Sequence, residues 1–269
     1  MSSQAATMMA PSAALTVEEV LDVRHWNEHL FSFSVTRPST FRFRSGEFVM
    51  LGLPGESRPL LRAYSIASPS WSETLDFLSI KVPDGPLTSR LQLIQPGDGL
   101  FLGRKPTGTL VADALKPGRR LFLLSTGTGL APFLSLVRDP EIYERFAHVV
   151  LVHSVRRVSD LAFHDELEAR LADDPLVSDQ ALLQFDYVPT VTREPFRTTG
   201  RIDALLDSGA LFDGRITGPR HLDPAEDRVM MCGSMDMIRS FAKRLDDAGF
   251  TEGSNAQPGD YVIERAFVD

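Results

Sequence analysis

A chain of 269 residues, 43% hydrophobic and 24% charged, has the composition of a globular protein and the length of two domains, each able to bury a core of its own. Its formal net charge of −8 argues against nucleic acid as the main partner, since a phosphate backbone is held by a basic excess, and no apolar run is long enough to cross a bilayer. Cys232 is the only cysteine, which excludes an internal disulfide or a chain-encoded iron–sulfur cluster and suits a reducing, cytoplasmic compartment.

Residues 1–14 lack the basic start and apolar core of a secretory signal and read as a loose, flexible tail. From residue 15 to 117, strands are expected over 17–23, 30–35, 48–53, 62–67, 75–82 and 100–103, punctuated by Gly and Pro, with one helix over 89–94. Strands at this spacing without intervening helices predict a small antiparallel β-barrel. The stretch 37–62 carries Arg37, Arg42, Arg44, Arg58 and Arg62 against Glu47 and Glu56, a local basic face suited to steering an acidic partner or simply a solvated surface. The histidines are scattered without a metal-ligand set and read as structural.

Within the expected barrel, Arg62-Ala63-Tyr64-Ser65 has a period of two that puts a cation and an aromatic ring on one strand face, where a phosphate and a flat ring system could both be held. An ordinary half-exposed strand is the alternative. Asp84-Gly85-Pro86-Leu87-Thr88-Ser89 then opens the helix, and free amides at such an end suit a pyrophosphate unless Thr88 or Ser89 simply caps it. Lys81, just upstream on a strand, reads first as a solvated charge and only second as a ligand.

Lys116-Pro117-Gly118 marks a break, and residues 118–269 alternate between expected strands (121–125, 149–153, 182–187, 228–231) and helices (131–137, 161–171, 202–206, 235–248). Such alternation predicts a parallel α/β sheet. Thr126-Gly127-Thr128-Gly129, between an apolar strand and an apolar helix, is the context in which a Gly-x-Gly turn suits a nucleotide phosphate, and Pro132 falls in the first helical turn, where a missing amide costs little. Arg156, at the end of the second strand, stands where an NAD site commonly has an acidic residue. Together with Thr192, Arg193 and Arg201 it favours a 2′-phosphate, each arginine alone being also a common surface residue. Cys232-Gly233-Ser234 ends the fourth strand, with Ser234 a natural helix cap and the thiol at the sheet edge where ligands of such folds bind.

In their order these motifs, with the ending Val262-Ile263-Glu264-Arg265-Ala266-Phe267-Val268-Asp269, resemble the ferredoxin/flavodoxin–NADP⁺ reductase family, in particular its bacterial branch, over residues 17–269. The resemblance implies an FAD-binding barrel (15–117) and an NADP-binding α/β domain (118–269) whose end returns to the flavin. It implies FAD held by Arg62, Ala63, Tyr64, Ser65, Ile80, Lys81, Val82, Leu87, Thr88, Ser89, Thr128, Glu264, Ala266, Phe267, Val268 and Asp269. NADP(H) is implied at Thr126, Gly127, Thr128, Gly129, Arg156, Thr192, Arg193, Arg201, Cys232, Gly233, Ser234 and Asp236, with Ser65, Cys232, Glu264 and Ala266 around the hydride transfer. Ala266 stands where plastid members close with an aromatic residue, implying weaker exclusion of the nicotinamide and slower turnover. A flavin exchanges both hydrides and single electrons, which explains pairing the two domains and implies an acidic carrier, ferredoxin or flavodoxin, docked on a monomer near Arg42, Arg44 and Arg58. An oxygenase reductase, a free-flavin reductase and a non-catalytic flavin module are the rival readings.

Overall fold

The computed structural model describes residues 13–213 and 217–264. Strand β2 (Leu30–Thr36) alternates cleanly, sending Phe31, Phe33 and Val35 into the first core. Its neighbour β1 (Leu15–His25) has two jobs: its first half pairs with β6 (Gly99–Gly103) and its second with β2. A register shift between Val20 and Asp22 bends the strand between them, as an inserted residue does. With β3 (Phe48–Leu53), β4 (Leu60–Ser65) and β5 (Thr74–Ile80), these form an antiparallel sheet in the order β4-β3-β6-β1-β2-β5.

The sheet curls so that its two edge strands meet. Past β4 the chain changes partner: the Ile66 amide still donates to the Glu47 carbonyl at 3.0 Å, but the Ala67 amide donates to the carbonyl of Asp76 in β5 at 2.8 Å. Residues 66–67, expected in the strand, are therefore the corner that closes the barrel. Helix α1 (Thr88–Leu91) is shorter than the sequence pattern, and β5 stops at Ile80.

The second sheet is wholly parallel, in the order β11-β10-β7-β8-β9, built from β7 (Arg120–Thr126), β8 (His148–Val155), β9 (Phe185–Val191), β10 (Asp227–Cys232) and β11 (Tyr261–Glu264). Alternate residues supply two cores. Leu121, Leu123, Val149, Leu151 and Met230 pack with Phe133 of α2 (Ala131–Val137), and this core runs on into Leu30, Ala67 and Leu78 of the barrel. Phe122, Leu124, Val150 and Met231 face Leu205 of α6 (Ile202–Ser208) and Phe241 of α7 (Met235–Asp247). One apolar core thus spans the barrel and the near face of the parallel sheet, fixing one half against the other.

The expected strand 182–187 is displaced. Residues 182–184 complete α5 (Ser178–Gln184), where Leu182 and Leu183 point outward, and the strand begins at Phe185, the first fully buried apolar side chain of the run. Likewise the expected helix 161–171 is reduced to α4 (His164–Glu168), started by Phe163 at φ 59° and ended by Arg170 and Leu171 in the same left-handed region. Helix α3 (Pro140–Arg145) is opened by Asp139, whose carboxylate accepts the Glu141 amide. At the opposite sheet edge from the strand ends considered below, Arg120 and Asp227 form a buried bidentate pair at 2.5 and 2.6 Å. Arg120 also donates to the Pro219 and His221 carbonyls, holding that loop beneath β7 and β10.

Candidate functional site: a nucleotide cleft beside a flavin groove

All strands of the parallel sheet end at one edge, and β7 and β10 are adjacent there although the chain runs through β8 and β9 between them. This is the switch point at which open α/β sheets form a crevice. A cleft of about 910 Å³ lies there. Thr126, Gly127, Thr128 and Gly129 reach it from the β7 turn, Gly233, Ser234 and Asp236 from the β10 turn, and Arg156, Thr192, Arg193 and Arg201 from the ends of β8 and β9 and the start of α6. Ile80 and His29 enter it from the barrel.

The two turns interlock. A Cβ on Gly129 would lie 2.2 Å from the Cys232 carbonyl oxygen, and one on Gly233 would lie 2.1 Å from Thr126 Oγ1, so neither position admits a side chain without moving backbone. Thr126 Oγ1 accepts the Ser234 amide at 2.7 Å, and Ser234 Oγ accepts the Met237 amide at 3.4 Å as the cap of α7. The far end of the cleft is cationic. Arg156, Arg193 and Arg201 are all exposed, and among the described residues none has an ion-pair partner. The Arg193 amide donates to the Arg156 carbonyl at 3.0 Å, which keeps the ends of β8 and β9 together.

His153 supports this cleft from below and was not singled out by the sequence pattern. Its ring is buried on β8, with Nε2 3.2 Å from the Gly127 carbonyl and Nδ1 3.3 Å from the Tyr187 hydroxyl. Burial lowers its pKa to about 4, so the ring is neutral; donating Nε2–H to Gly127, it accepts the Tyr187 proton at Nδ1. A polar pair, His153-Ser154, at the end of the otherwise apolar run Val149–Val155 was the available signal.

Ser125, Cys232 and Glu264 stand side by side at the ends of β7, β10 and β11. The Glu264 carboxylate accepts the Thr109 amide at 3.3 Å, and Thr109 Oγ1 donates to the Ile263 carbonyl at 2.6 Å. Cys232 is fully buried. Burial pushes its thiol well above the ordinary value and the Glu264 charge adds to this, so it stays protonated and is no covalent nucleophile.

On the barrel, the Tyr64 ring stands edge-on to Phe33 and Phe77, with centroids 6.5 and 6.3 Å away, and its hydroxyl is 3.2 Å from Ser79 Oγ. These contacts fix the plane of the ring. Ser65 Oγ is buried and has no hydrogen-bond partner among the described residues. Arg62 is exposed and donates to the Leu61 carbonyl, while Ala63 pairs with Met50 in the ladder. Ile80 and Val82 are exposed and Leu87 is buried. Lys81 is engaged, its ammonium donating to the Asn27 carbonyl at 2.6 Å. Neither Thr88 nor Ser89 caps α1: Thr88 Oγ1 turns back to the Val82 carbonyl at 3.3 Å, and the Leu87 and Thr88 amides donate to no described residue. Among the described residues, free amides, a guanidinium without an acidic partner, a held aromatic ring and a hydroxyl without a partner suit a flavin nucleotide carrying a pyrophosphate. Ala266, Phe267, Val268 and Asp269 lie outside the described residues, as do residues 1–12 of the expected tail.

Residues 14–111 match the oxidoreductase FAD-binding domain family and residues 123–243 the oxidoreductase NAD-binding domain family. The chain is 53% identical over 256 residues to a ferredoxin–NADP reductase of Pseudomonas aeruginosa, covering 95% of this chain and 98% of that protein. It is 50% identical over 264 residues to a flavodoxin/ferredoxin–NADP reductase of Rhodobacter capsulatus, covering 97% of both. Among solved structures, a ferredoxin NADP⁺ reductase from Neisseria gonorrhoeae with bound FAD and NADP superposes with a TM-score of 0.83 at 32% identity, covering 95% of this chain and all of that one.

Proposed function

We propose the residue roles that follow on the premise that this chain belongs to the ferredoxin–NADP reductase family and is an FAD-dependent oxidoreductase exchanging electrons between NADP(H) and ferredoxin. Bound FAD supplies hydride exchange with the pyridine nucleotide and single-electron exchange with the carrier. The rest of the chemistry is positioning and electrostatics. Tyr64 would stack on the flavin ring, and Ser65 Oγ, which has no hydrogen-bond partner among the described residues, would hydrogen-bond the flavin. Arg62 and the amides of Leu87 and Thr88 bind the pyrophosphate, with Ser89, Ala63, Ile80, Lys81 and Val82 as further contacts. Glu264 and Cys232 border the point where the nicotinamide meets the flavin, and the tail residues Ala266, Phe267, Val268 and Asp269 complete the flavin site. In the cleft, the Thr126–Gly129 turn and Gly233, Ser234 and Asp236 hold the nucleotide.

The observation that carries the NADP assignment is the trio Arg156, Arg193 and Arg201, exposed in one cleft without acidic partners among the described residues. A 2′-phosphate supplies the missing anion, and a protein that merely stored flavin would have no use for such a pocket. Anaerobic stopped-flow mixing tests this: NADPH should bleach the yellow protein far faster than NADH. The double variant R193A/R201A should lower kcat/KM for NADPH about a hundredfold, the worth of one to two charge-assisted hydrogen bonds, and spare NADH. Equal losses with both nucleotides would sink the assignment.

The domain limits 15–117 and 118–269, a monomeric state and a cytoplasmic setting belong to the same proposal. No helix among the described residues is long and apolar enough to cross a membrane. The acidic carrier, ferredoxin or flavodoxin, docks near Arg42, Arg44 and Arg58. Arg44 shares its charge with Glu47 at 3.0 Å and Asp113 at 3.7 Å, so the exposed Arg42 and Arg58 supply most of the free positive potential.

A further inference from the structure

The cationic end of the cleft is not held by the parallel sheet alone. The turn between β1 and β2 crosses from the barrel and grips the segment that follows β8. Asn27 Nδ2 donates to the Ser159 carbonyl at 2.7 Å and to Asp160 Oδ1 at 3.0 Å. Its Oδ1 accepts the His29 amide at 2.6 Å, which orients the side-chain amide so that its two hydrogens face those acceptors. The turn is itself tied to β5, because Lys81 donates through Nζ to the Asn27 carbonyl and through its backbone amide to the His29 carbonyl at 2.8 Å. Trp26 adds a ring contact of 4.7 Å to Phe163, and Arg24 lies 3.6 Å over Trp26.

Asp160 is the hinge of this arrangement. Its Oδ2 accepts the Arg157 amide at 3.1 Å, and it lines the cleft together with Arg156 and Arg157. A carboxylate here competes with any anionic ligand for these guanidiniums. Asn27 on Oδ1 and the Arg157 amide on Oδ2 fix the orientation of this carboxylate, and among the described residues Arg156 has no ion-pair partner.

We propose that Asn27 is a positioning residue for nucleotide selectivity: the barrel's β1–β2 turn fixes the 156–160 segment and keeps Asp160 from neutralising the arginines that receive a 2′-phosphate. This rests on the reading of Arg156, Arg193 and Arg201 given above. It makes the flavin half of the molecule a partner in choosing NADP(H) over NAD(H).

The test uses FAD-loaded full-length protein and calorimetric titration with adenosine 2′,5′-bisphosphate and with 5′-AMP. N27A should weaken the bisphosphate about tenfold, the scale of one lost hydrogen bond to a charged group, and leave 5′-AMP within about twofold. N27D, which keeps the acceptor for His29 but sets a second carboxylate against Asp160, should act in the same direction and serves if N27A does not fold. Adding D160N to N27A removes the competing charge and should restore bisphosphate binding to within about threefold of the parent; a merely structural role for Asn27 predicts no rescue. Equal weakening of both ligands, no effect of either Asn27 variant, or failure of D160N to rescue would overturn the proposal. R193A is the control: if it weakens the bisphosphate and the Asn27 variants do not, the bracket falls and the 2′-phosphate site stands. If R193A has no effect either, both fall.

Discussion

The flavin groove and the nucleotide cleft are assembled in opposite ways. Tyr64, Ser65 and Arg62 come from one six-residue strand, and Leu87 and Thr88 from one short turn, so the barrel side of the groove is a local construction whose parts lie close together in sequence. The cleft draws on the ends of β7, β8, β9 and β10 and the start of α6, with His29 and Ile80 from the barrel, segments from residue 29 to 241. A local site fails one contact at a time. A site built from many strand ends depends on the turns that hold those ends together, and it fails as a unit.

The sharpest way to break that contrast is Gly129→Ala. Its Cβ would sit 2.2 Å from the Cys232 carbonyl, forcing the two glycine turns apart. Stability should fall by about 3 kcal/mol and NADPH-driven reduction by about a hundredfold. The yellow cofactor should stay bound, because the groove is built elsewhere. Thermal melts and stopped-flow traces on the FAD-loaded variant check both; loss of FAD with retention of NADPH binding would reverse the comparison.

A middle-sized effect concerns the support beneath the cleft. The His153 pKa is depressed from 6.5 to about 4, so between those values the unfolded chain binds the extra proton and the folded one does not. The contribution is complete above the unfolded value and is lost as pH falls toward the folded one. About 2 kcal/mol should disappear between about pH 7.5 and 5, estimated from the linkage relation. Urea melts at several pH values should show this slope, and His153→Phe should flatten it; an unchanged slope would mean the ring already titrates normally.

Smallest is Ser65→Ala, which sharpens the contrast from the groove side. Removing a buried hydroxyl without a partner among the described residues should leave the FAD-free protein unchanged or about 1 kcal/mol more stable, while reduction by NADPH slows about tenfold. Melts of the FAD-free form and anaerobic reduction rates of the loaded form separate the two effects. A destabilised FAD-free form would show that the hydroxyl has a structural partner.

Much of this was legible in the chain itself. The alternation of Phe31, Phe33 and Val35 marks a half-buried strand, and Thr126-Gly127-Thr128-Gly129 between apolar segments marks the turn that lines the cleft. The errors have one cause. Leu182 and Leu183 look like the start of a strand, but sequence does not tell that they face outward on α5; residues 66–67 look like strand, but their partner changes from β3 to β5 at a corner. Thr88 and Ser89 look like caps, yet the loop sends the Thr88 hydroxyl back to Val82 instead. His153 hides in an apolar run because its importance lies in Gly127 and Tyr187, residues 26 and 34 positions away.

By itself the sequence determined the two kinds of sheet, the aromatic and cationic strand of the groove and the glycine turns of the cleft, because periodicity, turn chemistry and helix ends act over a few residues. Only the tertiary structure decided that Gly129 must meet Cys232, that the unpaired arginines share one opening, and that Asn27 of the barrel closes on Asp160 of the other half. The Gly129–Cys232 and Asn27–Asp160 contacts join residues more than a hundred positions apart. No local preference encodes them; the order in which parallel strands pack around a common core does.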